Sequence, residues 1–228
     1  HLDSFHFIQP IEEECNFYKI HTLVREFFRA KLSKAEKNHQ FRQAFVTILL
    51  AIAKQIPKSL TLDLIAVVAP AIPHLDILSR EMLNDISNPE EDLFWAFIGI
   101  ARCYEGQGLY ALAEDPYQRC LLAVKEKFGD RHPDVATSLN SLAALYYSQG
   151  RYEEAEPLYK QSLALIQELL DDRHPGVATS LNNLALLYDS QGRYEEAEPL
   201  YKQALALWQE LLGDRHPSVV TSINNLAL

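Results

Sequence analysis

The chain has 228 residues, 48% of them hydrophobic and 23% charged, with a formal net charge of −10. These values fit a folding chain of one or two domains, and 8 Gly with 11 Pro are too few for a collagen-like or compositionally disordered one. No apolar run reaches the ~18 residues of a membrane helix, and no basic-then-apolar leader opens the chain. Cys15, Cys103 and Cys120 form no Cys-x-x-Cys pair, which argues against a disulfide framework or a cysteine zinc site and for a reducing, cytoplasmic setting.

In chain order, residues 5–8 and 17–20 read as two short strands around the acidic turn Glu12-Glu13-Glu14-Cys15, and residues 21–32 as an amphipathic helix. A strand pair running into a helix is similar to the end of the winged-helix domain of NB-ARC-type signal-transduction ATPases. Tyr18-Lys-Ile-His21-Thr-Leu-Val resembles their Met-His-Asp segment, with Ile20 in place of Met and Thr22 in place of Asp. The resemblance implies a nucleotide-sensing role for His21 within a longer parent. This sequence holds no GxxxxGK[ST] phosphate loop, so no cofactor is expected here, and a hydrogen-bonded strand-end histidine is the plain alternative. Seven Lys/Arg against Glu26 and Glu36 over residues 19–42 read as a solvated helix face rather than a nucleic-acid site.

Residues 33–90 read as an irregular helical connector. Phe41, Ala44, Phe45, Ile48, Leu49 and Ile52 fall at helical spacing within 35–55, Pro57, Pro70 and Pro73 punctuate, and 75–86 suggests a further helix. Val68-Ala-Pro-Ala-Ile-Pro-His74 resembles the Pro-His element in the connector of the same ATPases. The connector is expected to cap the segment after it and to cover that segment's first apolar face.

From residue 91 the chain repeats itself. Asp-Arg-His-Pro begins at Asp130, Asp172 and Asp214, and Ser148-Gln-Gly-Arg-Tyr-Glu-Glu-Ala-Glu-Pro-Leu-Tyr159 returns 42 residues later as Ser190 to Tyr201. A fixed period of this length means stacked supersecondary units. Leu139, Leu142, Ala143 and Tyr146 form one apolar helix stripe, Gly150 breaks it, and Tyr152, Ala155, Tyr159, Ser162 and Ile166 form a second. Each unit is therefore an αα-hairpin, with Pro133, Pro175 and Pro217 opening its first helix. Residues 91–128 are a weaker copy built on Ala101, Gly108, Tyr110, Ala113 and Tyr117, and 217–228 are only the first helix of another. Because the sequence starts at His1 and stops inside a repeat, it reads as a piece of a longer protein. Ile223, Leu226 and Ala227 would then lack a partner helix, and this end is expected to fray or to pack on a neighbouring copy as a homo-oligomer contact.

The order Leu-Ala-x-x-Tyr, Gly-x-Tyr-x-x-Ala, then aromatic and small residues, resembles the tetratricopeptide repeat, whose usual length is ~34 residues. The 42-residue form with Leu-Asn-Asn-Leu-Ala at Leu181 and a closing His-Pro resembles the kinesin light chain subtype. The resemblance implies an all-α fold, a right-handed superhelical stack of helical hairpins with a small winged-helix remnant at the amino end. The expected organisation is 1–32 remnant, 33–90 connector and 91–228 repeats.

It also implies that first helices line a concave groove. Helical spacing places Thr137, Asn140 and Tyr147 on one face, then Thr179, Asn182 and Asp189, then Thr221 and Asn224. Asparagine offers donor and acceptor together, so one per repeat can hold the backbone of an extended peptide; polar surface is the plain alternative. Tyr147 against Asp189 is the place where specificity would enter. His132, His174 and His216 lie a repeat apart, too far to share a zinc, and suit helix starts. No Ser/His/Asp or Cys/His arrangement points to catalysis, and 20 acidic against 11 basic residues from Glu91 onward disfavour nucleic acid. The expectation is a non-catalytic scaffold that captures a protein or peptide segment, away from membranes. The alternative is the sensor half of a nucleotide-switched signalling ATPase.

Overall fold

A computed structural model describes residues 8–10, 18–20, 38–57 and 60–226. Near the amino end β1 (Ile8–Pro10) pairs antiparallel with β2 (Tyr18–Ile20), Ile8 facing Ile20 and Pro10 facing Tyr18. A single strand pair does not make a winged helix. The helix expected over 21–32, and His21 with it, lies outside the described residues.

All else described with regular structure is helical: α1 (Asn38–Gln55), α2 (Leu62–Val68), α3 (Ile72–Glu81), α4 (Pro89–Gly106), α5 (Tyr110–Phe128), α6 (Pro133–Ser148), α7 (Tyr152–Leu169), α8 (Pro175–Ser190), α9 (Tyr194–Leu212) and α10 (Pro217–Leu226), with short 3-10 turns at Ala69–Ala71 and Leu83–Asp85. The chain divides into two compact units, His1–Pro116 and Tyr117–Leu228. Repeat boundaries and compact units thus do not coincide: the first unit takes in α4 and the start of α5.

In the first unit α1 and α3 pack against α4. Close approach is possible because Gly99 has no side chain; a Cβ there would stand 2.6 Å from Ala53 Cβ and 3.0 Å from Ala53 Cα. Five successive α4 residues, Phe97, Ile98, Gly99, Ile100 and Ala101, are buried, which means both sides of the helix are covered. The short α2, capped by the Thr61 side chain accepting from Leu64 N, has no counterpart among the sequence expectations. The helix expected over 75–86 instead ends at Glu81. Met82 leaves helical geometry (φ −121°, ψ 14°), and the 3-10 turn after it brings buried Asp85 to accept from Arg42 Nε at 2.8 Å and Nη2 at 2.6 Å.

In the second unit α6 pairs with α7 and α8 with α9 as antiparallel hairpins, and α10 packs on α9. The starts of the first helices are set by the His-Pro pairs. His132, His174 and His216 Nδ1 accept from the backbone N–H groups of Asp134, Gly176 and Ser218 at 3.2, 3.0 and 3.2 Å, which is N-capping by imidazole. Proline comes next, at the first helical position, where a missing N–H leaves nothing unpaired. The hairpin turns need a positive φ, supplied by Gly150 (+73°) and Gly192 (+74°). Pro157 and Pro199 sit in the second turn of α7 and α9, and both helices continue through them.

Between hairpins, Ala136, Ile166, Val177, Leu181 and Ala204 form one buried cluster, with Leu163, Leu170, Leu207 and Trp208 packed around it. Each large aliphatic side chain fully buried there contributes roughly 1.5–3 kcal/mol. Ser162, buried on α7, donates to the Ala136 carbonyl of α6 at 2.7 Å, so its small size and its hydroxyl are both used. At the carboxyl end α10 runs from Pro217 to Leu226, with Val219 and Ser222 buried. Ile223 is exposed there, and Ala227 lies outside the described residues.

Candidate functional site

The first helices of the second unit, α6, α8 and α10, are tied to one another at the face expected to form the wall, and Thr137, Asn140, Tyr147, Thr179, Asn182, Asp189, Thr221 and Asn224 are each at least partly exposed. Their ties are specific. Asn183 Nδ2 donates to Asn140 Oδ1 at 3.0 Å, and Asn225 Nδ2 donates to Asn182 Oδ1 at 3.2 Å. Each bond joins residues 43 apart, one more than the repeat, because neighbouring first helices are staggered by one residue. Tyr147 and Ser190 hydroxyls make the third such tie, at 2.9 Å.

These ties change what the wall offers. By sequence alone, each groove asparagine has both a donor and an acceptor for a ligand. In the structure the Oδ1 of Asn140 and of Asn182 is already engaged by the next helix, so the Nδ2 donors are the amide groups these ties do not use. Thr137, Thr179 and Thr221 each donate Oγ1–H to the carbonyl four residues back, at 3.0, 3.1 and 3.0 Å, so their oxygens remain as acceptors. The wall therefore alternates fixed donors and acceptors, the pattern an extended backbone presents in return.

Charge is almost absent from this wall. Over α6, α8 and α10 the charged residues are Asp134 and Asp189 alone. Asp134 is half-buried in the first turn of α6, and that burial raises its pKa, with the nearby His132 opposing. Asp189 is half-buried near the end of α8. The charges gather instead around the hairpin turns. Glu156 of α7 accepts from Arg193 Nη1 at 2.7 Å, Lys160 Nζ at 2.7 Å and Tyr188 hydroxyl at 3.1 Å, while the Arg193 guanidinium lies 4.0 Å from the Tyr188 ring centre. Arg193 first, and Lys160 and Tyr188 after it, hold the Glu156 carboxyl down at about 2 against the desolvation that would raise it. Arg193 is tied still more strongly to Glu196. This clamp joins one hairpin to the next.

Burial pushes the thiols of Cys103 and Cys120 up to about 12, so neither is a ready nucleophile near neutral pH. Among the described residues no three His, Cys, Asp or Glu side chains converge as a metal ion would require, and no helix is long and apolar enough to cross a membrane.

Asn183, Asn225 and Ser190 make ties between first helices that the repeat pattern does not single out. The doublets Asn182-Asn183 and Asn224-Asn225 are the available signal, since the second member of each sits one residue off the 42-residue period.

A family model described as tetratricopeptide repeat matches residues 92–168, 139–209 and 190–228, together more than half of the chain. Among solved structures, BtubC (BKLC) from P. vanneervenii is similar with a TM-score of 0.63 and 24% identity, over 90% of this chain and 82% of that one. The nearly identical TPR-like repeats described as kinesin light chain from Podosopora anserina superpose with a TM-score of 0.60 at 22% identity, covering 85% of this chain and 86% of that one. A single-substitution variant of the same repeats gives 0.61 at the same identity and coverage. At these identities the likeness is one of fold. No curated protein matches the chain.

Proposed function

The chain belongs to the tetratricopeptide repeat family, whose members generally serve as protein-interaction scaffolds, and from that premise we propose that it captures an extended protein segment along the wall of α6, α8 and α10, without catalysis. The observation that carries the reading is the asparagine ladder. Asn140–Asn183 and Asn182–Asn225 fix the amide planes, so their remaining N–H donors are held in place at no further entropic cost when a ligand carbonyl arrives. Uncharged, evenly spaced donors and acceptors suit main-chain recognition, which accepts many side-chain sequences. The kinesin light chain likeness supports a protein partner of this kind, with the segment lying along the first helices. A peptide selected from a random displayed library on the full chain should bind the Asn140→Ala/Asn182→Ala protein about 5- to 150-fold more weakly, the loss of two hydrogen bonds at ~0.5–1.5 kcal/mol each. Unchanged affinity refutes the reading.

A second reading rests on the β1–β2 pairing beside the resemblance of residues 18–24 to a Met-His-Asp segment. In it, the repeats are the sensor of a nucleotide-switched ATPase and His21 senses the nucleotide. It requires that the same peptide alter ATP turnover when this chain follows a phosphate-loop domain; identical turnover with and without peptide contradicts it.

A further inference from the structure

We propose that the wall contains a subsite for one basic side chain of the bound segment, formed by Asp189, Tyr147, Ser190 and Tyr201. It rests on the capture reading above and names the chemistry of the partner at one point. Asp189 is the only charged residue of α8 and is half-buried, and its carboxylate makes no ion pair or hydrogen bond among the described residues. A carboxylate drawn partly out of water without a cation opposite it is an unfavourable arrangement, and it is relieved when a cation binds.

The second observation is independent. Tyr201, on α9, is only 3% exposed, and its hydroxyl is buried without a hydrogen-bond partner. Buried hydroxyls in folded proteins are nearly always paired, so an unpaired one marks a group waiting for a ligand or a water. Tyr201 and Asp189 belong to the two helices of one hairpin, and the Tyr147–Ser190 bond at 2.9 Å pins Tyr147 to the residue next to Asp189. Burial first, then the Asp189 charge and the Tyr147 hydroxyl, push the Tyr201 hydroxyl well above the usual phenol range.

In the proposal one ammonium or guanidinium lies among these groups. It donates to the Asp189 carboxylate, finds acceptors in the Tyr201 and Tyr147 oxygens, and can lie against the Tyr147 ring, which leans on Tyr152 with centroids 5.7 Å apart. An acidic side chain meets like charge at the same place. One repeat earlier the position of Asp189 is held by Tyr147, so of α6 and α8 only α8 carries the carboxylate, and its place sets where along the segment the basic residue must fall.

The test is selection of a random displayed peptide library on the full chain, followed by affinities for wild type, Asp189→Asn and Tyr201→Phe. Selected peptides should carry a Lys or Arg at a fixed position. Replacing that residue by Ala, or Asp189 by Asn, should weaken binding about 10-fold or more, and the two changes together should cost no more than one. Tyr201→Phe should weaken the basic peptide a few-fold without lowering the melting temperature of the free chain, since no bond within the chain is lost. Peptides without a basic residue that still depend on Asn140 and Asn182 overturn the subsite and leave the capture reading standing. Additive losses in the double change, or Tyr201→Phe that lowers melting and spares binding (a hydroxyl serving only an internal water), overturn it as well. Failure to select any peptide overturns both.

Discussion

The first helix of the divergent repeat, α4, and the first helices of the regular repeats, α6 and α8, carry the same frame with opposite consequences. Forty-two residues before Thr137, Asn140, Ala144 and Tyr147 stand Trp95, Ile98, Arg102 and Glu105. Ile98 is 1% exposed, Arg102 Nη1 donates to the Ile56 carbonyl at 2.9 Å, and its guanidinium lies 5.2 Å from the Trp95 ring centre. Where α6 and α8 offer Ser141 and Asn183, α4 has Gly99, and α1 closes over it. The comparison teaches that a repeat face stays open only where its side chains are polar. Made apolar and given a glycine, the same face becomes core.

The strongest way to break the comparison is at Gly99. Gly99→Ala places a methyl against Ala53 backbone, and should destabilise the chain by about 1–3 kcal/mol. Ser141→Ala, at the equivalent place on the open wall, removes only a bond back to the Thr137 carbonyl and should change stability by less than about 0.5 kcal/mol. Equal effects in urea unfolding would show that α4 and α6 are not covered differently. Next in size is the ladder: Asn183→Ala should cost about 1 kcal/mol by the same measurement, and no loss would mean the Asn140–Asn183 bond does not tie α6 to α8.

Two smaller effects sharpen the regular half. Asp171 has φ +137°, where the other two repeats have Gly129 (+83°) and Gly213 (+78°). Asp171→Gly should therefore raise the melting temperature, by the equivalent of up to about 1 kcal/mol, although it forfeits the acceptor for Arg173 N. A drop instead would show that the side-chain bond outweighs the strain. Glu156 gives a pH signature. Its folded pKa lies below the ordinary 4.5, so its contribution is fully present above that value and is lost as pH falls from about 4.5 towards about 2. After screening at a partly exposed clamp this amounts to about 1 kcal/mol, and Glu156→Gln should flatten the loss of stability across that window. Parallel pH profiles for the two proteins would refute the clamp.

The regular repeats are legible because their information is local and is written more than once. Stripe, breaking glycine and opening proline each recur in fixed order, and Leu139, Ala155 and Tyr159 are buried as their spacing demands. The illegible features depend on partners distant in sequence. Nothing around Gly99 says that Ala53 sits against it. Asn183 and Asn225 escape because the period is 42 and the contact falls at 43, a stagger that exists only once helices stand beside one another. Tyr201 looks like filler in the pattern, and only its surroundings reveal a hydroxyl left unpaired.

The most direct measurement follows the side-chain N–H signals of the asparagines and the Trp95 indole by NMR while a library-selected peptide is titrated into the full chain. Peptide lying on the open wall shifts the Nδ2 signals of Asn140 and Asn182 in proportion to occupancy and leaves Trp95 in place. Movement of Trp95 with silent asparagines would put the partner elsewhere and contradict the account.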